Sequence, residues 1–149
     1  MTDLLPEREQ TVRQVRRLLD RVRRQGGTGR LLHLALTEQA ERRQIIAEFN
    51  AARDAEYAEV LERLPALREE LARERERGRA TYAEVEESEA DLERFRSWMA
   101  KIAARDYFAA PAGAPARAAV EDAAADLAAF ERAALAADTA TAPAGEETA

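Results

Sequence analysis

Residues 37–78 read TEQAERRQIIAEFNAARDAEYAEVLERLPALREELARERERG, and residues 81–105 read TYAEVEESEADLERFRSWMAKIAAR. In the first stretch Ile46, Phe49, Arg53, Tyr57, Val60, Leu64, Leu67 and Leu71 recur at intervals of three and four, the spacing of one face of a helix. In the second, Tyr82, Val85, Glu89, Leu92, Phe95 or Arg96, Met99 and Ile102 recur in the same way, close to a heptad. Thr37 suits the start of the first helix and Gly78 its stop. Thr81-Tyr82-Ala83-Glu84 has the sequence form of a capping box. Only Gly78-Arg79-Ala80 separates the two helices, so the spacing predicts an antiparallel helical hairpin. Pro65 lies within the first helix and is expected to kink or split it.

Further along, Asp106-Tyr107-Phe108 closes toward Pro111, and Pro115 is expected to start another helix with Val120, Leu127, Phe130 and Ala134 inward. Toward the N-terminus, Leu5-Pro6-Glu7 suits a helix start, Val12, Val15, Leu19 and Val22 form a narrow apolar stripe, and Gly26-Gly27 ends it. The run Arg30-Leu31-Leu32-His33-Leu34-Ala35-Leu36, bounded by Gly29 and Thr37, reads as one buried strand. A lone strand leaves its backbone groups unsatisfied, and no second strand is evident. The expected fold is mainly α: a long antiparallel helical hairpin with packed flanking helices and one short strand. Residues 1–36 would be a helix plus that strand, the remnant of an α+β unit. Residues 37–136 would hold the hairpin and a C-terminal helix, and residues 137–149, rich in Thr, Ala, Pro and Glu, a disordered tail.

Composition narrows the chemistry. Of 149 residues, 46% are apolar, yet 35 are alanine and only 28 are Leu, Ile, Val or Phe, so the core is thin. Cysteine is absent and His33 is the sole histidine, which excludes disulfides, thiolate sites and His-cluster metal sites. No cofactor and no metal are expected. No apolar run approaches the ~18 residues of a membrane span, and the start lacks a signal-peptide pattern, so a cytoplasmic protein is expected. The net charge is −6, but residues 1–30 carry eight arginines against four acids. That basic first helix is a candidate for nucleic acid. Its arginines are read first as solvated, because the whole chain is acidic and no aromatics interleave with them.

The pattern breaks are the candidate site. Arg53 and Tyr57 sit on the inward stripe of the first hairpin helix with Glu56 beside them. Glu89 occupies a core-type position on the second with Glu86 one turn before, and Arg105 and Asp106 end that helix. Charges on a buried face must pair. The expected pairing is Arg53 with Glu86 or Glu89 across the hairpin, capped by the Tyr57 hydroxyl. A register-fixing ion network is the first reading and an anion or metal pocket the second. The di-metal reading lacks the paired Glu-x-x-His motifs. His33 is taken as a strand-face residue and Trp98 as a packing anchor.

Taken in order, FNAARDAEY at 49–57, GRATYAEVEESE at 78–89, DLERFRSW at 91–98 and IAARDYFAAP at 102–111 resemble the N-terminal region of the chromate resistance protein ChrB family. The matching residues are Phe49, Asn50, Arg53, Glu56, Tyr57, Glu86, Glu89, Trp98, Arg105, Asp106 and Phe108. The resemblance spans roughly residues 4–135 and is strongest over 46–111. It implies a bacterial, cytoplasmic protein linked to chromate resistance, with longer relatives acting as chromate-responsive regulators of an efflux operon. Those relatives carry an upstream winged-helix-like section and a C-terminal domain, neither seen in this sequence. Upstream residues would then hold the strand's partners, through a shortened paralogue or a misassigned start, or another subunit would supply the sheet edge.

Three functions follow. The first is a ChrB-like regulatory, sensing or accessory protein that reads an oxyanion through Arg53, Arg105 and their carboxylates. The second is a helical interaction module without ligand, forming a homodimer or docking a partner protein through the strand edge and the first helix. The third is a DNA-binding transcriptional regulator. An enzyme is not expected: no nucleophile motif is present, and a carboxylate paired with arginine has its pKa lowered, the wrong direction for a general acid.

Overall fold

A computed structural model describes residues 4–78 and 81–141. Four helices follow one another: α1 (Glu9–Arg24), α2 (Gln39–Arg77), α3 (Tyr82–Ala103) and α4 (Gly113–Thr141). The chain divides into two units, residues 1–45 and 46–149, with the boundary inside α2.

In the first unit the Arg8 backbone N–H donates to the Thr11 hydroxyl (3.0 Å), which donates to the Pro6 carbonyl (2.6 Å). Helix α1 thus begins after Pro6. It stops in a Schellman turn: Gly26 has φ +81°, its N–H donates to Arg23, and the Gly27 N–H donates to Val22. The chain then returns over the stripe, so close that a Cβ on Gly29 would lie 2.4 Å from Leu19 Cδ2. The strand expected over 29–36 does not form, and the described residues contain no strand. A strand requires a partner edge, and the described residues of the first unit offer only α1, the first turns of α2 and irregular chain. Leu32 and Leu34 are instead 73% and 72% exposed, leaving the backbone there to water. Among the described residues the regular structure is therefore all helical, and only the mainly-α part of the expectation holds.

The second unit is a three-helix bundle. Its core is Tyr57, Val60, Leu64, Leu67 and Leu71 of α2, Val85, Leu92, Met99 and Ile102 of α3, and Val120, Leu127, Phe130 and small residues of α4. Glu56 meets Arg105 and the Arg63 guanidinium lies 5.3 Å from the Trp98 ring, so facing positions on α2 and α3 have numbers summing to 161, an antiparallel hairpin. Asp54 meets Ala112 and Arg68 meets Asp126, so α4 runs alongside α2 in the same direction. The alanine-rich face of α4 lets its backbone approach α3 closely.

The helix ends follow local chemistry. Thr81 caps α3 with the expected box: its hydroxyl accepts from the Glu84 N–H (3.3 Å) and Glu84 accepts from the Thr81 N–H (2.8 Å). Helix α2 begins at Gln39, so Glu38 rather than Thr37 precedes it. It is not split at Pro65, which lies on an exposed turn where the missing donor is tolerated. Helix α4 starts at Gly113, which leaves Pro115 within the first turn, where its absent N–H has no partner to lose. It continues through Thr141, so the first residues of the tail expected over 137–149 are helical. Residues 142–149 lie outside the described residues.

Candidate functional site

The polar residues of the α2 stripe gather where α2 meets the turn between α3 and α4. Phe49, Arg53, Tyr57 and Val60 fall on one face at helical spacing. The bundle buries Tyr57 fully, while Phe49 and Arg53 lie above it at the open end of the stripe. Glu56 sits beside them, one position off the stripe.

Three carboxylates tie the turn down. The Arg105 guanidinium donates to both oxygens of Glu56, Nη2 at 2.6 Å and Nη1 at 3.1 Å. Arg53 Nη2 reaches the same carboxylate at 2.9 Å. Asp106 accepts from the Tyr57 hydroxyl (3.1 Å) on one oxygen and from the Ala110 N–H (2.9 Å) on the other. Asp54 accepts from the Ala112 N–H at 2.8 Å, just before α4 begins. Phe49 closes the end, edge-on to Tyr107 (6.0 Å) and to Phe108 (5.5 Å). Within the turn Ala109 is held at φ +55°.

Burial raises the pKa of the Tyr57 hydroxyl above its ordinary value; the Asp106 carboxylate it donates to adds to this, and Arg117 opposes it. Tyr57 is therefore a neutral donor. Gly113 makes room for this arrangement: a Cβ there would sit 3.1 Å from Tyr57 Cε2 and 3.3 Å from Arg117 Nη1.

The site thus collects Phe49, Arg53, Glu56, Tyr57, Arg105, Asp106 and Phe108. It does not include Glu86 and Glu89. The hairpin register sets Glu89 opposite position 72 of α2, about 19 residues or ~28 Å along the helix from Arg53. Both glutamates face outward at exposed positions, so the cross-hairpin pairing with Arg53 is replaced by the pairing with Glu56 one turn on. Trp98 also lies elsewhere on α3, half-buried, stacked on Phe95 (6.3 Å) and covered by Arg63. His33 Nδ1 lies 3.0 Å from Glu7 in the first unit. Sequence reasoning missed Asp54, Arg117 and Gly113. Asp54 carried a signal, a carboxylate between two flagged residues, whereas Arg117 and Gly113 lie on another helix with nothing in their spacing to mark them.

Three guanidiniums (Arg53, Arg105, Arg117) and three carboxylates (Asp54, Glu56, Asp106) meet here. The Arg53–Glu56–Arg105 bridge carries two positive charges on one negative. Arg53 Nε and Asn50 Oδ1 are buried without a hydrogen-bond partner among the described residues. No group of three or more His, Cys, Asp or Glu among those residues is placed to hold a metal ion. No described helix is long and apolar enough to cross a membrane.

Fold and site together define an all-helical module whose turn is clamped by arginine–carboxylate bridges. The chain belongs to the family described as Protein ChrB, N-terminal, whose model matches residues 2–141. That family associates it with chromate resistance. No curated protein and no solved structure matches it.

Proposed function

We propose that this chain is a ChrB-type regulatory or accessory module of chromate resistance that reads an oxyanion at the Arg53–Glu56–Arg105 bridge. The observation that carries this reading is the sharing of one carboxylate by two guanidiniums. The bridge has a net positive charge, and a tetrahedral dianion matches the planar fork of an arginine at least as well as a carboxylate does. The Arg105 side chain is 50% exposed, so an anion reaches it from solvent, while Arg53, at 17%, supplies a desolvated second donor. An oxyanion held by Arg105 competes with Glu56, loosening the clamp between α2 and the turn that leads into α4. The binding event thereby becomes a change in helix packing. No catalytic step belongs to this reading.

Calorimetric titration of the pure protein with chromate, sulfate and chloride tests it. Saturable heat is expected for the two dianions and not for chloride, and Arg105→Gln is expected to weaken it about ten-fold or more. Absence of saturable heat with either dianion sinks the proposal.

A further inference from the structure

The first unit has almost no interior. Among its described residues only Thr11 is buried, and five of the seven large exposed hydrophobics of the described chain, Leu4, Leu5, Leu18, Leu32 and Leu34, belong to it. The inner stripe of α1 is covered by the returning chain, but its outer face is not. There Arg17, Arg21 and Arg24 follow one another along the helix beside Leu18, which is 54% exposed. None of these three arginines has an ion-pair partner among the described residues, whereas Arg13 pairs with Glu9 and Arg23 with Asp20.

The second unit carries the complementary surface. Near the closed end of the hairpin, Glu70 and Glu74 of α2 and Glu84, Glu87 and Asp91 of α3 line a groove floored by Leu71 and Phe130. Within it Glu74 is paired with Arg77, Asp91 with Arg94, and Glu84 caps its own helix. Glu70 and Glu87 have no ion pair among the described residues. The groove thus has two rails of acid, each with its members about one turn (~5–6 Å) apart, the same one-turn spacing as the arginines on the outer face of α1.

We infer that the outer face of α1 docks in the acidic α2–α3 groove of a second copy of this chain. Leu18 lies over the Leu71–Phe130 floor while Arg17 and Arg21 face Glu70 and Glu87. The charge pattern selects a protein groove over nucleic acid: beyond residue 30 the chain carries ten more acids than bases, a field that repels phosphate, and no aromatic side chain interleaves with the α1 arginines to stack on a base. Reciprocal exchange of α1 about a two-fold axis makes the contact twice and closes the assembly. The inference is independent of the oxyanion reading, since it uses none of its residues.

Light scattering after size exclusion of the full chain, at about 50 mM and 500 mM salt, reads the outcome. A dimer at low salt that dissociates at high salt is expected. Arg17→Glu with Arg21→Glu, or Glu70→Arg with Glu87→Arg, is expected to weaken it about ten-fold or more. The two charge-reversed chains mixed together are expected to associate again. All these positions are exposed, and circular dichroism confirms that each variant folds. A monomer at every salt and concentration overturns the inference, including one whose α1 arginines bind a DNA duplex. So does a dimer indifferent to salt and to both reversals.

Discussion

The hydroxyl of Tyr57 in α2 donates to Asp106, 49 residues further along, at 3.1 Å. The ring lies fully inside the core while its oxygen touches the turn, so one side chain fixes both packing and the path of the α3–α4 connection. Tyr57→Phe keeps the ring and leaves Asp106 its bond from Ala110, so the loss is about 1 kcal/mol by urea denaturation. Tyr57→Ala also empties the core and costs about 3–5 kcal/mol.

The same pair sets a pH response. The folded state raises the Tyr57 pKa, first by burial and then through the carboxylate it donates to. The stabilising contribution is full below the unfolded value, about 10, and is lost as pH rises through the folded value. Wild-type stability is expected to fall more steeply above pH 10 than that of Tyr57→Phe, measured as denaturation midpoints across the alkaline range. Parallel curves for the two proteins would contradict this.

Glu56→Gln removes the shared partner of two arginines. Arg53 is then left mostly buried with no carboxylate, at a cost of about 1–3 kcal/mol. Arg105→Gln removes a half-exposed partner and costs less, about 0.5–1 kcal/mol. On the oxyanion reading Glu56→Gln also frees both forks, so chromate and sulfate are expected to bind it more tightly than they bind the wild type. Calorimetry and denaturation on the two variants separate these effects.

How far the sequence reaches is clearest at Arg53 and Glu89. Periodicity set both on core stripes, and Arg53 does lie on the inward face of α2, because a three-four repeat defines a face. It does not define how far along that face a residue meets its neighbour. Register comes from the hairpin turn, and folding about Gly78 separates Arg53 from Glu89 by most of the bundle's length. The 29–36 segment failed for a different reason. Its apolar run satisfies a strand pattern, but pairing is a tertiary property and no second strand is present among the described residues. Asp54 and Arg117 enter the site only when a turn and a second helix are brought to α2, and their spacing along the chain carries no trace of that. The capping box at Thr81 and the glycine stops at Gly26 and Gly78 were legible because their chemistry is complete within a few residues.

Ala109 occupies the left-handed region at φ +55°, which a side chain disfavours by about 1–2 kcal/mol. The neighbouring Ala110 N–H, bound to Asp106, holds it there. Ala109 is exposed, so Ala109→Gly loses no packing. A gain of about 0.5–1 kcal/mol is expected, net of the added freedom of the unfolded chain. Thermal denaturation checks it.

Pro65 lies inside α2 on an exposed turn and withholds one backbone donor from the Leu61 carbonyl. Pro65→Ala restores that bond without removing a core contact, and stability is expected to rise by about 1–3 kcal/mol. Unchanged or lower stability would mean that the proline sets a bend on which bundle packing depends.

Gly113 and Gly26 separate two reasons for a glycine. At Gly26 nothing lies within 4 Å of a would-be Cβ, but φ is +81°. Gly26→Ala therefore pays only in backbone strain, about 1–2 kcal/mol. At Gly113 the backbone opens α4 in an ordinary conformation, where alanine would normally stabilise by about 0.4–1 kcal/mol. The Cβ, however, falls 3.1 Å from Cε2 and 3.3 Å from Cζ of Tyr57, a ring fully buried in the core and tied at its hydroxyl to Asp106. Overpacking wins, and Gly113→Ala is expected to cost about 1–3 kcal/mol. Because the strain arises at the Tyr57 ring, combining it with Tyr57→Leu is expected to recover part of that cost. A double-mutant cycle by urea denaturation reads the coupling, and strictly additive effects would show that the ring is not what Gly113 accommodates.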